Sequence, residues 1–419
     1  MKSVLICCDL FPPAFGPRMG YLCKYLLLNG WKPVVITEDV GENTFSFLAD
    51  QLIAKQVEVK YIRYYTHTGW LGKMEWGFTF LRDILFGYKD NRFYREALKK
   101  IEIHDFNLIL CSTYRTFPMR AAARLAQNKN LPLVIDLRDI IEQYAGNEFI
   151  THPLPKIAGF DQWIAALFRK RNLTIRNKIL RQANGVTTIS SWHVSVLKTY
   201  NPNTRLIYNG YDPELFFPSD VKSTQFYVTY TGRLLSTAMR DPDLLFQAVQ
   251  KLLEEEVITP DLFRIRWFVD EKSKRIITHE SAKYPNIKPF MEYFGYIPAS
   301  EIPLILQESA ILVLLTNKAS NSGPQGVMTT KLFEALAVGK PILSVRGDEG
   351  CIEEVITRTC SGLSAHTADE AYQFIKSHYL RWKEGQHTED NANWDEIKKF
   401  SRDSQAQQFI EVFLGCISE

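Results

Sequence analysis

Two doubly wound α/β domains in series are what this 419-residue sequence predicts. Three observations carry the expectation. Short, apolar, β-branched runs alternate with helix-patterned segments, as in parallel strands buried on both faces. The alternation stops over residues 207–218, where Asn209, Gly210 and two prolines break any periodicity, and it restarts after a polar stretch ending near Gln225. The chain is also too long for a single core and suits two or three domains. The expected domains are residues 1–215, residues 216–390, and a C-terminal helix over 391–419 that packs back across them.

Taken in order, strands are expected over residues 4–9, 33–37, 57–63, 107–112, 131–136, 185–190 and 206–208. Helices are expected over 19–29, ending before Gly30, and over 118–127. The first apolar run is short and broken by Asp9, which marks a strand rather than a signal peptide. Gly16 and Gly20 in the first turn do not make the GxGxxG spacing, so no dinucleotide fingerprint is present. The second half is expected to hold strands over 226–231, 263–269, 291–294, 311–315 and 341–345, with helices over 241–255 and 300–308. The tail over 394–413 is amphipathic and lacks a strand partner. Two such domains leave a cleft between the carboxyl ends of their strands, where ligands of open α/β sheets bind.

The most informative stretch begins in a loop carrying Gly323, Pro324 and Gly326 and passes into a short helix and a buried strand. Val327, Leu332, Phe333, Leu336 and Ala337 form its apolar stripe at helical spacing. Gly339 is placed to end the helix in a left-handed conformation, and Pro341 prevents continuation. Lys331 and Glu334 project on one face. A helix N-terminus with a lysine suits a phosphate, and a carboxylate one turn on can accept from sugar hydroxyls. The alternative is a plain Lys–Glu pair on a solvated helix.

Composition excludes several classes. With 46% hydrophobic and 23% charged residues the chain is ordinary for a globular protein, and a net charge of +3 is too small to argue for nucleic acid. The seven cysteines show no metal-ligand spacing, which predicts buried free thiols in a reducing compartment. No apolar run reaches the roughly 18–20 residues that span a bilayer. A cytoplasmic protein is therefore expected, at most peripheral at the inner face of the cytoplasmic membrane.

Other charged groups stand at predicted strand ends. Gly232 permits a tight turn that would aim Arg233 into the cleft, with Arg240 following; together with Lys331 they could neutralise a diphosphate, or be surface arginines. The Gly295 loop could expose backbone groups to a nucleobase edge. Asp136, Arg138 and Asp139 are either salt-bridged structural groups or site residues. Residues 154–180 carry Lys156, Arg169, Lys170, Arg171, Arg176 and Lys178 among Trp163, Leu167 and Phe168. This is either a basic helix for an anionic membrane surface or a core-facing helix with a solvated basic face. Residues 69–94 add aromatic bulk.

These pieces, in this order, resemble the retaining glycosyltransferases of family 4, which have the GT-B fold. The resemblance rests on the run from Asp9 through Phe11, Pro12 and Pro13 to Gly16, on Asp136, Arg138 and Asp139, and on residues 185–190 and 208–212. It continues through Gly232 and Arg233, residues 294–297 and residues 331–341. It implies that Arg233 and Lys331 contact the donor diphosphate, that Glu334 binds the ribose hydroxyls, and that Arg240 roughly matches a loop lysine. Arg233, Lys331 and Asp139 would be the catalytic set. Donor-side contacts are expected from Gly16, Tyr296, Gly326, Val327, Met328 and Thr330 as well. The first glutamate of the family's paired-glutamate motif would fall at Gly326 and is absent, so no preferred sugar transfers. Ile140 and Ile141 replace the Trp or Pro that usually follows Arg-Asp. The implied activity is transfer of a sugar from a UDP- or GDP-linked donor to a cell-surface saccharide or lipid-linked acceptor, in polysaccharide or lipopolysaccharide synthesis. No metal and no further cofactor are implied. The rivals are a nucleotide-sugar 2-epimerase of the same fold and a catalytically silent nucleotide-sugar-binding partner.

Overall fold

The computed structural model describes residues 1–101, 105–114, 116–144, 150, 159–316, 325–346, 350–385, 388 and 392–418. Lys156, Gly323 and Pro324 lie outside them. The chain divides into two compact units, Met1–Tyr208 with Arg402–Glu419, and Asn209–Ser401.

The first unit is built on strands β1 (Lys2–Cys8), β2 (Trp31–Asp39), β3 (Glu58–Arg63), β4 (Leu108–Thr113), β5 (Leu133–Leu137), β6 (Gly185–Thr188) and β7 (Thr204–Leu206). They pair in parallel in the order β3-β2-β1-β4-β5-β6-β7. Cys7 lies opposite both Ile36 and Cys111, and all three are buried. Central strands covered by helices on both faces have no solvent side, which is why β1 and β4 read as continuous apolar runs. The second unit contains β8 (Phe226–Thr231), β9 (Phe263–Phe268), β10 (Met291–Phe294), β11 (Ile311–Leu315), β12 (Ile342–Val345) and β13 (Gly362–Ala365). These are also parallel, in the order β10-β9-β8-β11-β12-β13. The order reverses between β1 and β4 in one unit and between β8 and β11 in the other. Two doubly wound Rossmann-like sheets are thus present.

Several expectations need correction. The strand expected over 206–208 is β7, which ends at Leu206, and the helix expected over 300–308 is only Ile302–Gln307, capped at Glu301 with Pro303 in its first turn. β13 and the helix Ala368–Gly385 were not anticipated; Gly-Leu-Ser-Ala holds too few apolar residues to read as a strand. The tail is two helices, Trp394–Lys398 and Arg402–Ser418. Phe409, Val412, Phe413 and Cys416 of the second join the first unit's core, with Phe413 5.5 Å from Trp31 between ring centroids. The chain therefore leaves the first unit after Tyr208 and returns to it at Arg402. Six cysteines are buried as expected, while Cys360 is exposed. Among the described residues, no helix is long and apolar enough to cross a membrane.

Candidate functional site

The clearest concentration of charge lies at the carboxyl edge of the second sheet, where β8 and β11 meet and the strand order reverses. Such switch points are where open α/β sheets accept ligands. β8 runs out through Tyr230 and Thr231 into Gly232, whose N–H donates to Phe268 O at 2.9 Å. Buried Tyr230 donates its hydroxyl to Arg233 O at 3.1 Å, fixing the backbone of the next turn. Gly232 has φ +127, and a Cβ there would lie 2.2 Å from Cε and 2.7 Å from Nζ of Lys331. Only glycine permits both the conformation and the approach. The Lys331 ammonium therefore rests directly against the strand end.

Lys331 is delivered by the helix Thr330–Val338. Thr329 caps it, its hydroxyl accepting from Lys331 N at 3.4 Å, and Gly339 at φ +71 ends it in the left-handed conformation. The buried stripe of Leu332, Phe333, Leu336 and Ala337 holds the helix on the sheet and leaves Lys331 and Glu334 half-buried on its open side. Burial, then repulsion from Arg240 and Arg233, pushes the Lys331 ammonium down to about 8, with Glu334 opposing. A lysine held that low beside two guanidiniums is a site short of negative charge. Among the described residues neither Lys331 nor Arg240 makes an ion pair. Arg233 is exposed and meets Asp270 at 3.4 Å. Asp270 also accepts from Ser273 N at 2.7 Å and caps the helix Glu271–Ser281. The Arg240 loop is pinned by Asp241, whose N–H donates to Thr316 O at 3.0 Å and whose carboxylate meets Arg346 at 2.8 Å.

The arrangement can hold a polyanion: one ammonium and two guanidiniums converge, and the half-buried setting of Lys331 and Arg240 strengthens their interactions. Asp270, Asp241 and Arg346 escaped the sequence reading. Asp270 carried a signal, an aspartate just before a helical pattern. Asp241 and Arg346 carried none, because their pairing joins loops remote in sequence.

The remaining predicted residues are distributed differently. Gly326 is buried at φ +66, Met328 is buried, and Val327 and Thr330 are half-buried in the approach to the Lys331 helix. A left-handed backbone there explains why glycine stands where a glutamate was expected. Tyr296 is exposed beyond β10, the edge strand, two strands or about 10 Å from β8. Gly16 lies in the first unit, where a Cβ would come 2.6 Å from Phe11 Cα, so close packing of its own turn requires it.

Asp139, also in the first unit, accepts from Gln143 Nε2 at 3.1 Å, and Gln143 Oε1 lies 2.9 Å from His193 Nε2. Burial pushes His193 down to about 3, so the ring is neutral and donates from Nε2 to Gln143. Asp136 is fully buried; it accepts from Arg18 at 3.0 and 2.9 Å, from Ser112 at 2.8 Å and from Thr187 at 2.7 Å. Arg138 is paired with Asp9. For Asp136 and Arg138 the structural alternative holds. On the helix Phe160–Leu180, Arg169 donates to Tyr144 O, Arg171 to Asp83 O, and Arg176 grips Glu142 at 2.6 and 2.5 Å. Only its lysines, Lys170 and Lys178, are exposed basic groups among the described residues.

Solved structures share this architecture across the whole chain. Sucrose-phosphate synthase from Thermosynechococcus elongatus matches with a TM-score of 0.65 over 100% of both chains, at 14% identity. The fold is GT-B. HepE from Anabaena, solved with UDP and glucose, matches this GT-B chain with a TM-score of 0.63, covering 98% of it and 99% of HepE at 14% identity. A glycosyltransferase from Rickettsia africae gives 0.64 over 100% and 99% of the two chains, at 15% identity. No family model matches the chain, and no curated protein matches it in sequence.

Proposed function

We propose that the protein is a glycosyltransferase that moves a sugar, with retention of anomeric configuration, from a UDP- or GDP-linked donor to a cell-surface saccharide or lipid-linked acceptor. The observation that carries this reading is Lys331 seated on Gly232 beside Arg233 and Arg240, at the switch point of the second GT-B sheet. These cations would bind the donor diphosphate and stabilise the charge that builds on it as the sugar leaves. Glu334, one turn along the helix, would accept from the ribose hydroxyls. HepE, a GT-B neighbour solved with UDP and glucose, supports the choice of ligand class. Asp139 would act from the first unit, oriented by Gln143 and, through it, His193.

The site supplies its own positive charge, so turnover should persist after chelation with EDTA. The deciding experiment is a thermal-shift panel of nucleoside diphosphates and nucleotide-sugars. UDP or GDP should raise the melting temperature by mass action, and the better donor names the base. No shift with any nucleotide would end the donor-site reading.

Gly326 favours a second reading, a silent nucleotide-sugar-binding partner, since a glutamate side chain for the sugar is missing at that position. Slow hydrolysis of a donor without acceptor would exclude that alternative. A nucleotide-sugar product isomerised at the sugar would instead identify an epimerase.

An anionic membrane surface is proposed as a partner of the first unit. The helix Gly69–Phe86 exposes Trp70, Leu71, Met74, Phe78, Leu81 and Leu85 along one side, flanked by the exposed cations Lys73 and Arg82. An apolar stripe bordered by basic residues is complementary to anionic headgroups over acyl chains.

A further inference from the structure

The first unit holds a second group of charges that the donor site does not use. Arg120, in the first turn of the helix Met119–Lys129 after β4, reaches toward Gly87, the break between the helices Gly69–Phe86 and Tyr88–Lys100. A Cβ on Gly87 would come 2.3 Å from Arg120 Nη1 and 3.7 Å from Arg171 Nη2, so the two guanidiniums stand side by side. Arg171 donates to Asp83 O at 2.6 Å. Arg120 is half-buried and, among the described residues, makes no hydrogen bond and no ion pair.

The neighbouring carboxylates are engaged elsewhere. Asp90 accepts from Ala121 N at 3.0 Å, Asp83 accepts from Lys89 N at 2.8 Å, and Glu38 is paired with Lys89 at 2.6 Å. Burial, with repulsion from Asp83, also pushes Asp90 up to about 7, which weakens its negative charge near neutrality. Arg120 and Arg171 line a cavity of about 120 Å³. Its other wall is aromatic: Trp76 stacks on Phe80 with centroids 5.0 Å apart at 15°, and Phe80 meets Phe168 at 5.2 Å.

A half-buried guanidinium that makes no hydrogen bond or ion pair among the described residues, and that feels only the weakened charge of Asp90, is costly unless an anion completes it. Flat aromatic faces, in turn, suit the apolar C–H face of a sugar ring. We propose that this cavity binds an anionic saccharide, a sugar ring bearing a carboxylate or a phosphate. Arg120 pairs with the anion, and Trp76, Phe80 and Phe168 pack on the ring. That the bound saccharide is the acceptor rests on the glycosyl-transfer reading; that the cavity binds it does not.

The test uses the full chain in saturation-transfer NMR with three probes: methyl glucuronide, glucose 6-phosphate and neutral methyl glucoside. UDP and GDP binding are measured on the same samples by calorimetry. At least one anionic probe should bind at least about tenfold more tightly than methyl glucoside, and the tighter of the two identifies the anion as carboxylate or phosphate. Arg120→Gln should abolish that preference while nucleotide binding is unchanged, and Lys331→Ala should do the reverse. If Arg120→Gln does not fold, Arg120→Lys keeps the charge but loses the planar fork and should weaken the anionic probe severalfold. Equal binding of neutral and anionic probes overturns the proposal. So does a preference that survives both Arg120 variants, or one lost in Lys331→Ala. Saccharide binding without nucleotide binding would refute the donor site and leave the cavity assignment standing.

Discussion

Lys331→Met removes the ammonium while keeping the unbranched stem that lies against Gly232. In the folded protein this ammonium falls from an ordinary 10.5 to about 8, first through burial and then through Arg240 and Arg233. Below about pH 8 the folded state holds the charge at a cost that the unfolded chain does not bear. Between about 8 and 10.5 the folded protein sheds the proton while the unfolded chain keeps it, so the cost fades as pH rises. The half-buried lysine should therefore destabilise the ligand-free protein at pH 7 by up to about 3 kcal/mol relative to methionine. For units of this size that corresponds to a melting temperature up to about 10 °C higher in the variant. The gain should shrink toward zero by about pH 10.5. Diphosphate affinity should move the opposite way, weakening by about 1.5–3 kcal/mol with loss of one charged contact. Denaturation of both proteins at pH 7 and pH 10, with calorimetry of UDP and GDP, measures all three quantities. A variant no more stable at pH 7, or a stability gap that is the same at pH 10, would refute the account of a cation cluster lacking its anion.

Gly232→Ala places a Cβ 2.2 Å from Lys331 Cε at φ +127; it should cost on the order of 1–3 kcal/mol of stability and weaken UDP or GDP about as much as Lys331→Ala. Unchanged calorimetric affinity would show that Lys331 need not sit on the strand end. Glu334→Ala should weaken binding of a ribonucleoside diphosphate more than that of its deoxy analogues, and equal losses would remove the ribose contact. Replacing exposed Trp70 and Phe78 together by serine should leave the melting temperature nearly unchanged and reduce sedimentation with anionic liposomes. Wild-type binding that does not fall with added salt would contradict the role given to Lys73 and Arg82.

The sequence alone determined the architecture. Parallel strands covered on both faces are predominantly apolar, aromatic or β-branched, so β1, β4, β8 and β11 announced themselves, and Asn209-Gly210 marked where the alternation broke. It also determined the Lys331 helix down to its left-handed Gly339 end, because capping is local chemistry. Strands such as β13 stayed hidden: a few small residues become a strand only when a neighbour supplies the hydrogen bonds. Tertiary structure decided which charges matter. The sequence left Asp136 and Arg138 equally open to a structural or a site role, and Arg18 and Asp9 neutralise them from more than a hundred residues away. Arg233 and Arg240 share the loop after β8, whereas Lys331 lies about ninety residues further on, and it meets them because β8 and β11 are adjacent only in the folded sheet. Charge acts through distance in space, and a sequence states only distance along the chain.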